Sequence, residues 1–160
     1  MTRPSKLEYF MQIVDVVKTR SRDPHTQVGC LLVHRETDAI LATGYNSFVR
    51  GVTDAQLPTT SPEKYPYMLH AEDNVIAHCA KHGISTAGCM VVLNVNPCAA
   101  CIRKLWQAGI QFAIVKELYS KYFQEVLDMK DINVAVRHDP VTTQGFYFLT
   151  FSPKQYPISL

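Results

Sequence analysis

His70 and Glu72 stand two residues apart, and Cys98 and Cys101 follow Pro97 three residues apart. An imidazole and two thiolates are usual zinc ligands, and a zinc held by only three protein groups keeps a fourth position open for chemistry. A carboxylate beside that position is what a hydrolytic site requires for moving protons. The pattern therefore predicts Zn2+ held by His70, Cys98 and Cys101, with Glu72 as the acid-base residue. Plainer readings exist for each half. A bare Cys-x-x-Cys in an intracellular protein also serves as a redox pair, and a glutamate in a first helical turn is favoured by the helix dipole alone. Neither accounts for the His-x-Glu register upstream of the cysteine pair. His78 and His82 have the i, i+4 spacing of a metal clamp, but they lack an acidic neighbour and read as a solvated helix end. Cys30, Cys79 and Cys89 lie among apolar residues and read as small core side chains, Trp106 as a packing residue, and His25 and His34 carry no pattern.

The elements that must position these groups follow from hydrophobic periodicity. Leu7, Phe10, Met11, Val14 and Val17 recur at helical spacing and predict an amphipathic helix over 6–19, started by Pro4 and Ser5. Residues 19–26 are polar and contain Pro24, so they read as a loop. Residues 27–34 and 39–46 read as a hairpin about the polar turn 35–38. The stretch 47–67 carries little periodicity and is the natural rim of a site. A helix is predicted over 70–81 with Gly83 ending it, and a strand buried on both faces over 89–95. A second helix begins at Pro97 and closes at Gly109; a strand over 110–115, a helix over 119–129 and a strand over 132–136 complete the alternation. Both halves of the metal pattern thus open a helix, where free amides favour thiolate over thiol. The i, i+3 spacing puts the two sulfurs on one helical face. The aromatic segment with Phe146, Tyr147, Phe148 and Phe151 packs down, as strand or helix. These elements make a mixed sheet sandwiched between helices.

Composition bounds the rest. A chain of 160 residues with 47% hydrophobic content forms one domain, 1–160, with a core that needs no disulfides. Five cysteines and no leader-like segment predict reduced thiols and a cytoplasmic protein. A net charge of +2 lacks the basic footprint of nucleic-acid binding, and no run of 18 apolar residues predicts a membrane span.

The combination His-x-Glu and Pro-Cys-x-x-Cys is the signature of zinc nucleobase deaminases. With the blocks Arg20 to Gly29, Gly44-Tyr45-Asn46, Lys64-Tyr65-Pro66-Tyr67 and Gln107-Ala108-Gly109-Ile110, the chain resembles the cytidine deaminase superfamily over 7–118, and within it the deoxycytidylate deaminases. The resemblance implies an α/β fold, a three-layer α/β/α sandwich around a central mixed five-stranded sheet. It implies zinc-dependent hydrolysis of dCMP to dUMP and ammonia, supplying dUMP for thymidylate synthesis, in a homo-oligomer, with a hexamer the form expected. His70, Cys98 and Cys101 would bind zinc, and Glu72 would carry a proton to the ring nitrogen and on to the leaving amine. Asn46 would bind the sugar, Ala71 and Tyr119 would contact substrate with Tyr122 as an alternative lid, and the loop Arg20-Ser21-Arg22 would hold the 5′-phosphate. Asn96, before Pro97, is expected to influence what the pocket accepts. The resemblance also implies control by dCTP and dTTP, but after Asn46 the chain reads Ser47-Phe48-Val49-Arg50-Gly51, which departs from the family's regulated members and leaves that control open. Two other readings share the motif: a deaminase of a nucleoside, modified cytosine nucleotide or pterin, and a zinc-stabilised binding module without catalysis. The apolar aromatic segment 146–151 would favour assembly if it lay exposed.

Overall fold

The computed structural model describes residues 2–53 and 56–155. Four helices, α1 (Lys6–Lys18), α2 (Ala71–His82), α3 (Ala99–Gln107) and α4 (Ser120–Leu127), flank one sheet. Its strands are β1 (Gly29–His34), β2 (Ile40–Tyr45), β3 (Cys89–Val95), β4 (Phe112–Glu117), β5 (Ile132–Arg137) and β6 (Tyr147–Pro153), in the order β2-β1-β3-β4-β6-β5. The sheet is mixed. β1 runs antiparallel to β2 and β3, β3 is parallel to β4, and β6 is antiparallel to both β4 and β5.

The sandwich is as expected, but the sheet has six strands where five were predicted. The sixth is the aromatic C-terminal segment, which inserts between β4 and β5 with Phe148 opposite Ile114 on one side and Arg137 on the other. Leu149 and Phe151 point into the core and are buried, while Phe146 and Phe148 pack on the other face. That packing within the chain removes the exposed aromatic patch as an argument for assembly.

Two cores result, one on each face. Phe10, Met11 and Val14 of α1 cover Leu31, Val33, Met90, Val92 and Ile114. On the opposite face α2, α3 and α4 cover the alternate residues, among them Leu32, Val91, Leu93, Ala113 and Val115. β3 feeds both cores, which is why its sequence is a continuous apolar run. Each large aliphatic side chain removed from water there contributes about 1.5–3 kcal/mol. α1 starts where Ser5 and Glu8 cap it reciprocally, the Glu8 amide donating to Ser5 Oγ at 3.1 Å and the Ser5 amide to Glu8 Oε2 at 3.0 Å.

One close approach sets the site's position. A Cβ on Gly44 would lie 2.7 Å from the Ala71 carbonyl oxygen and 2.9 Å from Val75 Cγ2, so only glycine lets the start of α2 seat against β2. At its other end α2 stops at Gly83, whose φ of 67° is the left-handed conformation predicted for it. No described helix is long and apolar enough to cross a membrane.

Candidate active site

α2 and α3 present their N-terminal turns to one cavity of about 530 Å³. His70 is the residue that caps α2, in extended conformation, and its amide donates to Asp73 Oδ2 at 3.2 Å. Asp73 Oδ1 accepts from Lys104 Nζ at 2.6 Å, tying α2 to α3. Asn74 donates to the Tyr45 carbonyl at 2.7 Å and to Ser47 Oγ at 2.9 Å, fixing the same turn to the end of β2. On α3, Cys98 is the capping residue and the helix proper starts at Ala99, two residues later than Pro97 suggested. An extended cap keeps Cys98 free of the first turn, while Cys101 sits within it, and both sulfurs turn toward His70.

His70 Nδ1 lies 3.2 Å from Cys101 Sγ and 3.6 Å from Cys98 Sγ, and all three donor atoms are within 4.8 Å of one another. Ligands on a tetrahedral zinc, with Zn–S near 2.3 Å and Zn–N near 2.0 Å, stand roughly 3.6 Å apart. The donor set and its spacing therefore fit Zn2+. Among the described residues no other group of three metal-binding side chains converges. His78 and His82 lie 4.5 Å apart, ring to ring, without a third donor, and Cys30, Cys79 and Cys89 are buried free thiols.

Electrostatics distinguish the donors. A hydrogen bond from Cys101, with others from His70 and the Cys101 amide, outweighs burial and pulls the Cys98 thiol down to about 4. The same bond pushes Cys101 upward, with burial adding to it. The Cys98 sulfur in turn raises His70. Glu72, 4% exposed, lines the cavity beside them, and burial raises its carboxyl to about 7.

The remaining predicted contacts divide. Asn46, Ala71 and Tyr119 line the same cavity as Glu72. Asn46 is buried, its Nδ2 donating to the Thr26 carbonyl at 2.8 Å and its Oδ1 accepting from the Val28 amide at 2.9 Å. One N–H and one lone pair of that amide are left for a ligand. The loop 20–22 is placed otherwise than its charges suggested. Arg20 and Arg22 line a separate cavity of about 360 Å³ with Arg50, and Ser21 is buried, its Oγ accepting from the Asp23 amide at 3.2 Å. The part of the loop that reaches the main cavity is Asp23, His25 and Thr26.

Three groups in the cavity were missed or left open by sequence reasoning. Lys64 Nζ donates to Asp23 Oδ2 at 2.6 Å, with both side chains almost wholly buried. Burial pushes Asp23 up, but the Lys64 bond and the Thr26 and His25 amides hold its carboxyl below the usual range. Lys121 lines the cavity from α4. Asn96 is buried and accepts from the Tyr119 amide at 2.5 Å, fastening the start of α4 beside the Cys98 turn. The Lys-Tyr-Pro-Tyr block gave a signal for Lys64; a lone lysine at 121 gave none.

Residues 4–117 match the model of the cytidine and deoxycytidylate deaminase zinc-binding region. The chain belongs to that deaminase family. A deoxycytidylate deaminase from Pongo abelii is 37% identical over 113 residues, covering 67% of this chain and 62% of the relative. The ComE operon protein 2 of Bacillus subtilis (strain 168) is 31% identical over 138 residues, covering 84% of this chain and 72% of that one. The chain thus spans about three fifths of the deoxycytidylate deaminase it matches. The crystal structure of dCMP deaminase from the cyanophage S-TIM5 in apo form shares the fold, with a TM-score of 0.62 at 24% identity over 78% of this chain and 94% of that one.

Proposed function

We propose that the protein hydrolyses dCMP to dUMP and ammonia. The observation that carries this reading is the convergence of His70 Nδ1 and the Cys98 and Cys101 sulfurs within 4.8 Å, in a cavity that also holds the buried Glu72. The deoxycytidylate deaminases among its relatives support the choice of base and nucleotide. His70, Cys98 and Cys101 hold the zinc. Zinc, when bound, supplies Lewis acidity that ionises water near neutral pH.

The chain's own groups then do the following. Val28, Val95 and Ala71 line the inner part of the cavity and exclude bulk water from the pyrimidine ring. As the attacking water's oxygen bonds C4, Glu72 Oε takes one of its protons and delivers it to ring N3; it then takes the remaining proton of that oxygen and passes it to the C4 amine, so that the C4–N bond breaks, ammonia leaves and the C4 carbonyl of dUMP forms. A carboxylate so placed contributes typically 10²–10⁴-fold. The spare N–H and lone pair of Asn46 face the deoxyribose. The dUMP formed is a precursor for thymidylate synthesis, and the reading carries with it a cytoplasmic homo-oligomer.

Ammonia release by zinc-loaded protein from cytidine, deoxycytidine, dCMP, dCTP and 5-substituted dCMP tests the substrate, and dCMP should lead. Preference for a free nucleoside would reassign the protein within the family; no release from any of them would leave a binding module. Light scattering should give a species several times the 18.1 kDa of one chain, and an 18.1 kDa species with full turnover would refute assembly.

A further inference from the structure

The cavity has a second, polar end, built by Ser61, Lys64 and Tyr65 from one segment and by Tyr119, Lys121 and Tyr122 from another. It is the solvent end: Ser61, Tyr65, Tyr119 and Lys121 are exposed, whereas Glu72 and Ala71 are buried. A strongly hydrated anionic group on a ligand belongs at such a mouth, with the ring inside.

Two amines reach this end, and their surroundings differ. Lys64 is consumed by its buried pair with Asp23 at 2.6 Å. Lys121 meets only neutral partners among the described residues, donating to Tyr65 Oη at 3.2 Å and lying 5.2 Å and 5.6 Å above the rings of Tyr65 and Tyr122. Those rings hold the ammonium over the mouth without neutralising it. Lys121 donates to the Tyr65 oxygen and Ser61 lines the same end of the cavity, so three polar groups gather there. The bond from the Tyr119 amide to Asn96 fixes this segment relative to Cys98, and hence the span from mouth to metal site.

We propose that Lys121, Tyr65 and Ser61 form the subsite for the 5′-phosphate of the nucleotide, a role that rests on the deaminase reading above. Arg20 and Arg22 line the other cavity and do not supply it. The ammonium acts as a point charge on the phosphate and the two hydroxyls each donate one hydrogen bond. Lys121 is thereby the residue that separates nucleotide from nucleoside.

The test compares wild type, Lys121→Gln and Lys121→Arg by two readouts: the ratio of kcat/KM for dCMP over deoxycytidine, and the ratio of calorimetric affinities for dUMP over deoxyuridine. Loss of one charge-assisted contact should lower both ratios about ten- to a hundredfold in Lys121→Gln, and Lys121→Arg should keep most of each. Unchanged ratios, or equal loss on nucleotide and nucleoside, would overturn the subsite. If wild type deaminates neither substrate, the catalytic reading has failed, and the binding ratio alone still decides the subsite in the same two directions.

Discussion

Lys64→Met removes the cation from a pair whose side chains are 6% and 3% exposed, leaving Asp23 buried without its counter-charge. Removing one member of a buried pair costs about 3–5 kcal/mol. Here the Asp23 Oδ1 still accepts from the His25 and Thr26 amides at 2.9 Å each, which places the expected loss at the lower end, about 3 kcal/mol. For a chain of this size that lowers Tm by roughly 6–12 °C. Adding Asp23→Asn keeps an acceptor for both amides and removes the stranded charge, so the double variant should regain much of the loss. The pair also has an acid signature. Because the folded Asp23 pKa lies below its ordinary 3.8, the stabilisation is complete above that pH and disappears as pH falls below it toward the folded value. The Tm gap between wild type and the double variant should therefore be constant from pH 5 to 7 and narrow only below about pH 4. The assay is thermal unfolding of all four members of the cycle across that pH range. A Lys64→Met loss under about 1 kcal/mol, or a double variant no more stable than Lys64→Met, would refute the reasoning.

Two further outcomes follow from the geometry. Cys101→Ser should bring near-stoichiometric zinc down to a small fraction after dialysis while the fold persists by circular dichroism, because Cys101 is buried in a helix whose core contacts are made by its neighbours Ile102 and Leu105. Gly44→Ala places a methyl 2.7 Å from the Ala71 carbonyl; overpacking of that kind costs about 1–3 kcal/mol, and zinc affinity should fall with Tm because His70 rides on the displaced turn.

The helices and five of the strands were legible because their periodicity is local: β3 spans Cys89–Val95, the limits its apolar run indicated. β6 was not, since its place depends on pairing Phe148 with Ile114, 34 residues away, and no pattern inside 146–151 chooses between helix and strand. That His70, Cys98, Cys101 and Glu72 would be gathered together was legible for the same local reason, two short spacings that each fit one helical turn. The position of the loop 20–22 beside the second cavity was not legible, because its charges are conspicuous while its conformation is not. The α1 helix runs on into a turn here, with the Arg20 and Ser21 amides donating back to Val17 and Lys18; this leaves Ser21 and Asp23 buried and Arg20 and Arg22 exposed, lining the second cavity with Arg50. The Asp23 turn then carries His25 and Thr26 into the cavity. Lys64 is defined by a partner 41 residues distant and Lys121 by a cavity that exists only once α4 is docked, neither of which a single sequence spells out.

The central claim is that Glu72 carries the proton in a zinc-dependent deamination of dCMP, and Glu72→Gln tests it most directly because the amide keeps the shape and loses the carboxylate that accepts and releases a proton. Zinc content by atomic absorption and ammonia release from dCMP are measured on the same preparation. The account predicts wild-type zinc with turnover reduced at least a hundredfold; a zinc-loaded Glu72→Gln protein that deaminates dCMP at the wild-type rate would contradict it.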